Sequence, residues 1–262
     1  MRVTAGEGRA LKTSTSLIVA VIAGFAAVST ARAAEPSGDG LIPGSFTGNV
    51  ALTSDYLVRG VSQSNNGPAI QGGLDWDTGV GLHFGVWGSS INFKDGGEAT
   101  TEIDWAGGYA GSIGDLLNYD IGAVYYWYPG APGALSYDFW EVYGKASHDF
   151  GRFTLNAGVN YSPDIFGGTG PSTYFRAGVT VPITDKLSVS GEAGHSFLAQ
   201  SNPTPAFFPD YWDWNAGARM SVNNWFTVDV RYYDTNIAGD CPAPGGKHWC
   251  GSKVVAAISR SF

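Results

Sequence analysis

The stretch FTLNAGVNYS, residues 153–162, decides how this chain folds. Phe153, Leu155, Ala157, Val159 and Tyr161 fall on one side of an extended segment, and Thr154, Asn156, Gly158, Asn160 and Ser162 on the other. Successive side chains of a strand point to opposite faces, so this is a strand with one apolar and one polar face. The pattern recurs upstream in Leu117, Tyr119, Ile121, Ala123, Tyr125 and Trp127 against Asn118, Asp120 and Gly122. Downstream it returns in Phe226, Val228, Val230 and Tyr232 against Thr227, Asp229, Arg231 and Tyr233.

Working outward in both directions predicts strands over 46–62, 68–78, 80–91, 99–113, 116–128, 137–149, 152–162, 173–183, 186–198, 211–222, 225–235 and 253–262. Each is long enough for a tilted crossing of a bilayer, which takes about 9 to 11 residues, and the even count suits a single-chain bacterial barrel. The connectors alternate between short and long. The short ones centre on Asp77-Thr78-Gly79, Gly114-Asp115, Gly151, Thr184-Asp185 and Asn223-Asn224, and those between them are longer and rich in Gly, Pro, Ser and Asn. Tight turns at one end and long loops at the other are the profile of an outer-membrane barrel.

Alternation alone does not say which face is outside, because a soluble up-and-down barrel turns its apolar face inward. The predicted strand number encloses more room than apolar side chains fill, since about eight strands already suffice for a packed interior. Aromatic residues on the apolar face, among them Trp76, Tyr109, Trp127, Phe150, Phe153, Tyr161, Trp212 and Phe226, gather toward strand ends, as in interfacial girdles. The last strand ends on Phe262, with Ile258, Ala256 and Val254 on the same face. That ending resembles the C-terminal signal read by the barrel assembly machinery, with Arg260 as its one departure on the lipid side. The expected fold is therefore all-β: a transmembrane up-and-down antiparallel β-barrel over 46–262, with short periplasmic turns and long extracellular loops.

Residues 1–33 read as a signal peptide: Arg2, Arg9 and Lys12, then an apolar run over 17–28, then Ala31-Arg32-Ala33. The apolar run is short of the roughly 20 residues of a helical span. Residues 34–45 are expected to be a short periplasmic segment. Removing the leader takes away Arg2, Arg9, Lys12 and Arg32 but only Glu7, and moves the formal charge from −8 to −11. So acidic a chain does not suit nucleic acid, which needs clustered Lys and Arg. Cys241 and Cys250 lie close together in the last long loop, where an exported protein meets an oxidising compartment, and a disulfide is expected. A zinc site with His248 is the competing reading, but this spacing matches no usual ligand set.

On this register the lumen carries Asp55, Glu102, Asp104, Asp120, Glu141, Glu192 and Asp229, with Arg59, Lys145, Arg176, Arg219 and Arg231 as the basic counterpart. These residues are the candidates for pore lining and selectivity. Asp75, Asp77, Asp149 and Asp213 add further acids on the same face, and rings of carboxylates favour cations. Counting across the turn at Thr184-Asp185 places Arg176 almost opposite Glu192, and across Asn223-Asn224 it pairs Arg219 with Asp229. Such pairs either brace the wall or separate charges at a constriction. Inward Trp87, Tyr126, Phe139, Tyr143 and Tyr233, or folded loops, would narrow the channel.

A hydrolase needs a nucleophile and a base within hydrogen-bond reach. His83 has no evident serine, His148 lies by a short turn, His248 lies between the cysteines, and His195 faces the lipid side while Ser196 points the other way. An acid-pair protease from Glu102, Asp104 and Asp213 is the other enzymatic option. No phosphate cradle, paired metal ligands or nucleophile elbow occurs. The sequence therefore implies no catalytic residue, no metal and no cofactor.

Several stretches resemble the TorF family of porin-like Gram-negative outer-membrane proteins: TSDYLVRGVSQS (53–64), PAIQGGLDWD (68–77), GVWGSSIN (85–92), EIDWAGGYAG (102–111), YYWYPG (125–130) and EVYGKAS (141–147). The likeness is best over residues 50–147 and implies an outer-membrane barrel with a pore role. It supplies no catalytic or ligand residue. The expectation is a bacterial outer-membrane channel for passive diffusion of small polar solutes, weakly cation-preferring. Its partners would be outer-membrane lipid, the assembly machinery through Phe262, and the solutes themselves. The alternatives are a barrel enzyme of lipid-hydrolase or protease type and a surface barrel with a structural or adhesive role.

Overall fold

The computed structural model describes residues 43–94, 96, 99–199, 209–223, 225–238, 241 and 248–262. The expected signal peptide, nearly all of the 34–45 segment, Asn224 and the interior of the cysteine loop lie outside the described residues. The strands are β1 (Ser45–Thr53), β2 (Leu57–Val58), β3 (Val61–Ser62), β4 (Ala69–Asp77), β5 (Leu82–Ser90), β6 (Thr101–Ile113), β7 (Leu117–Trp127), β8 (Phe139–Asp149), β9 (Thr154–Ser162), β10 (Ser172–Pro182), β11 (Leu187–Leu198), β12 (Tyr211–Val222), β13 (Phe226–Thr235) and β14 (Lys253–Ser261).

All but β2 and β3 form one closed antiparallel barrel in which each wall strand pairs with the next in the chain. β14 returns to β1, with Leu52 opposite Ile258, and Gly48 and Phe262 exchange both backbone hydrogen bonds, at 2.8 and 3.0 Å. Closure removes the unpaired edges that an open sheet would expose.

The barrel is inverted relative to a soluble one. Val50, Leu52, Ile70, Leu74, Ile121, Leu155, Val189 and Val230 are exposed on the outside, whereas Gln71, Glu102, Asp104, Glu141, Lys145 and Arg219 are buried within. An apolar band of this extent is far larger than the patches monomeric soluble proteins show, and it suits hydrocarbon. Aromatic rings bound the band at both ends. Phe46, Trp76 and Phe84 stack at the short-turn end, with centroids 6.0 and 5.7 Å apart, and Trp127, Trp140 and Trp212 stand exposed near the long-loop end. Arg260 is outward as expected, but its guanidinium rests over the Trp225 ring at 4.9 Å by the short turns, where a cation is tolerated.

One expected strand is corrected. The segment 46–62 is not continuous: β1 ends at Thr53, and the chain leaves the wall to form the hairpin β2–β3, whose ladder is separate from that of the wall. Asp55 drives the departure, because its Oδ1 accepts hydrogen bonds from the hydroxyls of Ser62 and Ser64 at 2.6 and 2.9 Å and so folds the segment back on itself. The two-residue turn has φ of 49° at Arg59 and 80° at Gly60, the left-handed pair of a type I′ hairpin. Asp55 and Arg59 are therefore not four apart on one wall strand.

The long connectors also fold. Phe93, Tyr128, Tyr137, Phe166 and Trp249, from four different loops, pack with Tyr56 and Val61 of the hairpin segment into one buried cluster at the long-loop end. The Tyr137 and Phe166 rings stack at 4.3 Å. Cys241 and Cys250 are joined by a disulfide with Cα atoms 5.8 Å apart, and both are buried in this cluster.

Candidate functional site

Strand alternation sends polar side chains into the lumen, where they form two layers. The layer toward the long loops contains Glu102 and Asp104 of β6 and Glu141 of β8, each only 1% exposed, into which Arg59 projects from the hairpin. Arg59 Nη2 donates to Glu141 Oε1 at 2.6 Å and Oε2 at 2.8 Å. Glu141 Oε2 also accepts from Asn160 Nδ2 at 2.9 Å and Tyr126 Oη at 3.3 Å. The Arg59 guanidinium lies 4.5 Å from the centroid of the Tyr174 ring. In the barrel order β8 lies almost across from β1, so this contact spans the lumen.

Burial alone would lower the Arg59 pKa, but the Glu141 carboxylate outweighs it and holds the guanidinium above its ordinary value. Glu102 accepts from Tyr56 Oη at 2.5 Å. Burial, followed by the Glu102 and Asp104 carboxylates, pushes the Tyr56 phenol well above its usual range, so it remains a donor. Asp104 Oδ1 is buried without a hydrogen-bond partner.

The second layer lies deeper. Asp120 meets Lys145 at 3.7 Å, His83 at 2.9 Å and Tyr143 Oη at 3.2 Å. Arg176 reaches Glu192 at 3.2 Å, but diagonally, since the register sets Arg176 opposite Gly194 and Glu192 opposite Gly178. Arg219 and Asp229 are directly opposite, 3.4 Å apart, and Asp229 is shared with Arg231 at 3.2 Å. Arg231 also donates to Asn215 and Ser190 at 2.8 and 2.9 Å.

The acid trio is not gathered in one place: Glu102 and Asp104 are neighbours on β6, and Asp213 lies apart from them. β6 and β12 stand on opposite walls, and Asp213 accepts from Tyr174 at 3.2 Å, away from Glu102 and Asp104. Asp77 and Asp149 serve turns instead of the lumen, accepting from the amides of Gly79 and Gly151 at 2.8 and 2.7 Å. His195 packs between Phe197 and Trp212 with centroids at 4.2 and 4.6 Å. Among the described residues no group of acids, histidines or cysteines is arranged to hold a metal.

Sequence reasoning missed Lys253, which pairs with Asp55 at 3.2 Å, and the Tyr174 seat beneath Arg59. Lys253 falls on the inward parity of β14, a signal that was available. The Tyr174 seat depends on where the hairpin goes, and strand periodicity carries no trace of that.

A family model described as "Bacterial protein of unknown function (Gcw_chp)" matches residues 35–262. The chain belongs to the Gcw_chp family. No curated protein matches its sequence. Among solved structures the barrel is similar to the NanC porin, with a TM-score of 0.53 at 12% identity over 82% of this chain and 98% of that one. It is also similar to the KdgM porin, at 0.55 and 7% over 82% and 99%, and to KdgM in complex with disordered oligogalacturonate, at 0.54 and 6% over 83% and 99%. At these identities the likeness is one of fold, and this Gcw_chp member has the barrel architecture of porins.

Proposed function

We propose that this Gcw_chp protein is a bacterial outer-membrane channel for passive diffusion of small polar solutes, with a preference for cations, and that it is not an enzyme. The observation that carries the reading is an inverted barrel whose lumen is lined by charged side chains beneath a folded hairpin. Carboxylates on the inner wall offer a passing cation a replacement for hydration. The likeness of the fold to porins and the resemblance of residues 50–147 to the TorF family support the same reading.

The layer at the long-loop end is rich in carboxylates, so anionic solutes are disfavoured there. The KdgM ligand, oligogalacturonate, is a polyanion and is not carried over to this chain. The test is single-channel recording of the purified chain in planar bilayers under a KCl gradient. The reversal potential should carry the sign of cation preference, and Glu102→Gln with Asp104→Asn should bring it toward zero. Anion preference would overturn the cation reading. Absence of conductance from both the native chain and a chain lacking the hairpin would overturn the channel.

A further inference from the structure

We propose that Arg59 is a tethered stand-in for the solute: its seat on Glu141, Asn160, Tyr126 and Tyr174 is a binding site for a small molecule bearing a guanidinium or primary ammonium group. The inference deepens the channel reading, on which it rests for passage but not for binding.

The seat has the parts that such a receptor needs. Glu141 presents both carboxylate oxygens to one guanidinium nitrogen, and Asn160 and Tyr126 hold the carboxylate by further hydrogen bonds to its Oε2. The Tyr174 ring supplies a flat π face at 4.5 Å, within the range of attraction for a cation. That ring lies over Gly194, where an added Cβ would collide with Tyr174 Oη, so the absence of a side chain there lets the ring take this pose.

The acidic groups of the layer outnumber the one cation that answers them. Glu102 is hydrogen-bonded to the neutral phenol of Tyr56, and Asp104 Oδ1 is buried with no partner. Buried acids without a counter-charge are costly to ionise, and a second cation entering the layer would lower that cost. The stand-in is also mounted outside the wall. β2 and β3 form a two-stranded sheet separate from the wall ladder and held by the last loop and the aromatic cluster instead. A free cation competing for Glu141 therefore displaces one side chain and a short hairpin and leaves the barrel wall intact.

Two measurements test this on the full chain. In calorimetry, Arg59→Ala should bind methylguanidinium and not its neutral analogue methylurea. Adding Glu141→Gln should weaken that binding by about thirtyfold or more, as expected when one side of a desolvated charge pair is removed. Tyr174→Leu in the Arg59→Ala background keeps every carboxylate and should weaken it about fivefold, which serves if the Glu141 variant does not fold. Equal binding of methylguanidinium and methylurea, or no effect of either further substitution, would overturn the site.

In proteoliposomes, arginine should enter faster than citrulline through the native chain, and the ratio should fall toward one in Arg59→Ala/Glu141→Gln. Equal entry through both chains overturns the solute assignment. Selective binding in calorimetry with no permeation by any variant overturns the channel reading and upholds the site.

Discussion

Gly60 shows how much of the lumen rests on one residue. Its φ of 80° is a left-handed conformation, and an added Cβ would lie 2.5 Å from Thr235 Cγ2 and 3.1 Å from Asp213 Cβ, on β13 and β12 of the wall. The left-handed backbone alone costs an L-residue about 1 to 2 kcal/mol, before any collision. Gly60→Ala should therefore unseat the hairpin while sparing the wall: far-ultraviolet circular dichroism unchanged, and longer or more frequent conductance steps in bilayers. A channel record like that of the native chain would refute the role given to the tip. Residues on the wall were more legible than those on the tip. Counting across the short turn set Arg219 beside Asp229, and register delivers that pair directly, while Arg176 and Glu192 meet one step off because the turn takes one more residue than assumed. Arg59 was expected on the inner face of a wall strand and instead enters the lumen from the hairpin, and its partner Glu141 could not be read, because the contact crosses the barrel rather than the ladder.

Strands were legible as elements because burial on one side imposes a period of two, and every wall strand after the first keeps it to within a few residues of its expected ends. The loops carry no such period, so nothing in their composition foretold that Phe93, Tyr128, Phe166 and Trp249 would share one core. The last loop binds the hairpin most directly. Ser62 N donates to the Trp249 carbonyl at 2.9 Å, Trp249 Nε1 donates to Asn65 Oδ1 at 3.0 Å, and Lys253 holds Asp55 at 3.2 Å and also meets Asn66. The Cys241–Cys250 bridge closes this loop and, by loss of loop entropy, contributes about 2 to 3 kcal/mol to its order. Replacing both cysteines by serine should leave the barrel assembled but raise hydrogen exchange in residues 55–66 and 248–252 together. Exchange that rises around 248–252 alone would mean that the loop does not hold the hairpin.

At the scale of the whole molecule the charges of the wall are unevenly placed. β1 and β4 to β7 contain no Lys or Arg, while Lys145, Arg176, Arg219, Arg231 and Lys253 lie on β8 to β14. Their carboxylate partners Glu192 and Asp229 are on that same half, and Asp120 reaches Lys145 from β7, so the deep layer is close to charge-balanced. The layer at the long-loop end is not: there Glu102, Asp104 and Glu141 face Arg59, which the hairpin brings in from outside the wall. Selectivity should thus be set by the hairpin as much as by the barrel. Replacing residues 55–64 with a short Gly-Ser linker removes Arg59 and Asp55, along with the apolar contacts of Tyr56, Val58 and Val61, while every wall ladder stays paired. Two effects should follow in a KCl gradient. Conductance should rise because the lumen loses its filler, and the reversal potential should move further toward the cation limit because the layer loses the one guanidinium, on Glu141, that the hairpin supplies. Raising the salt on both sides should shrink the second effect and leave the first, since screening acts on charge and not on width. A deletion that widened the channel without changing its selectivity would show that the acid layer does not face the conducting path.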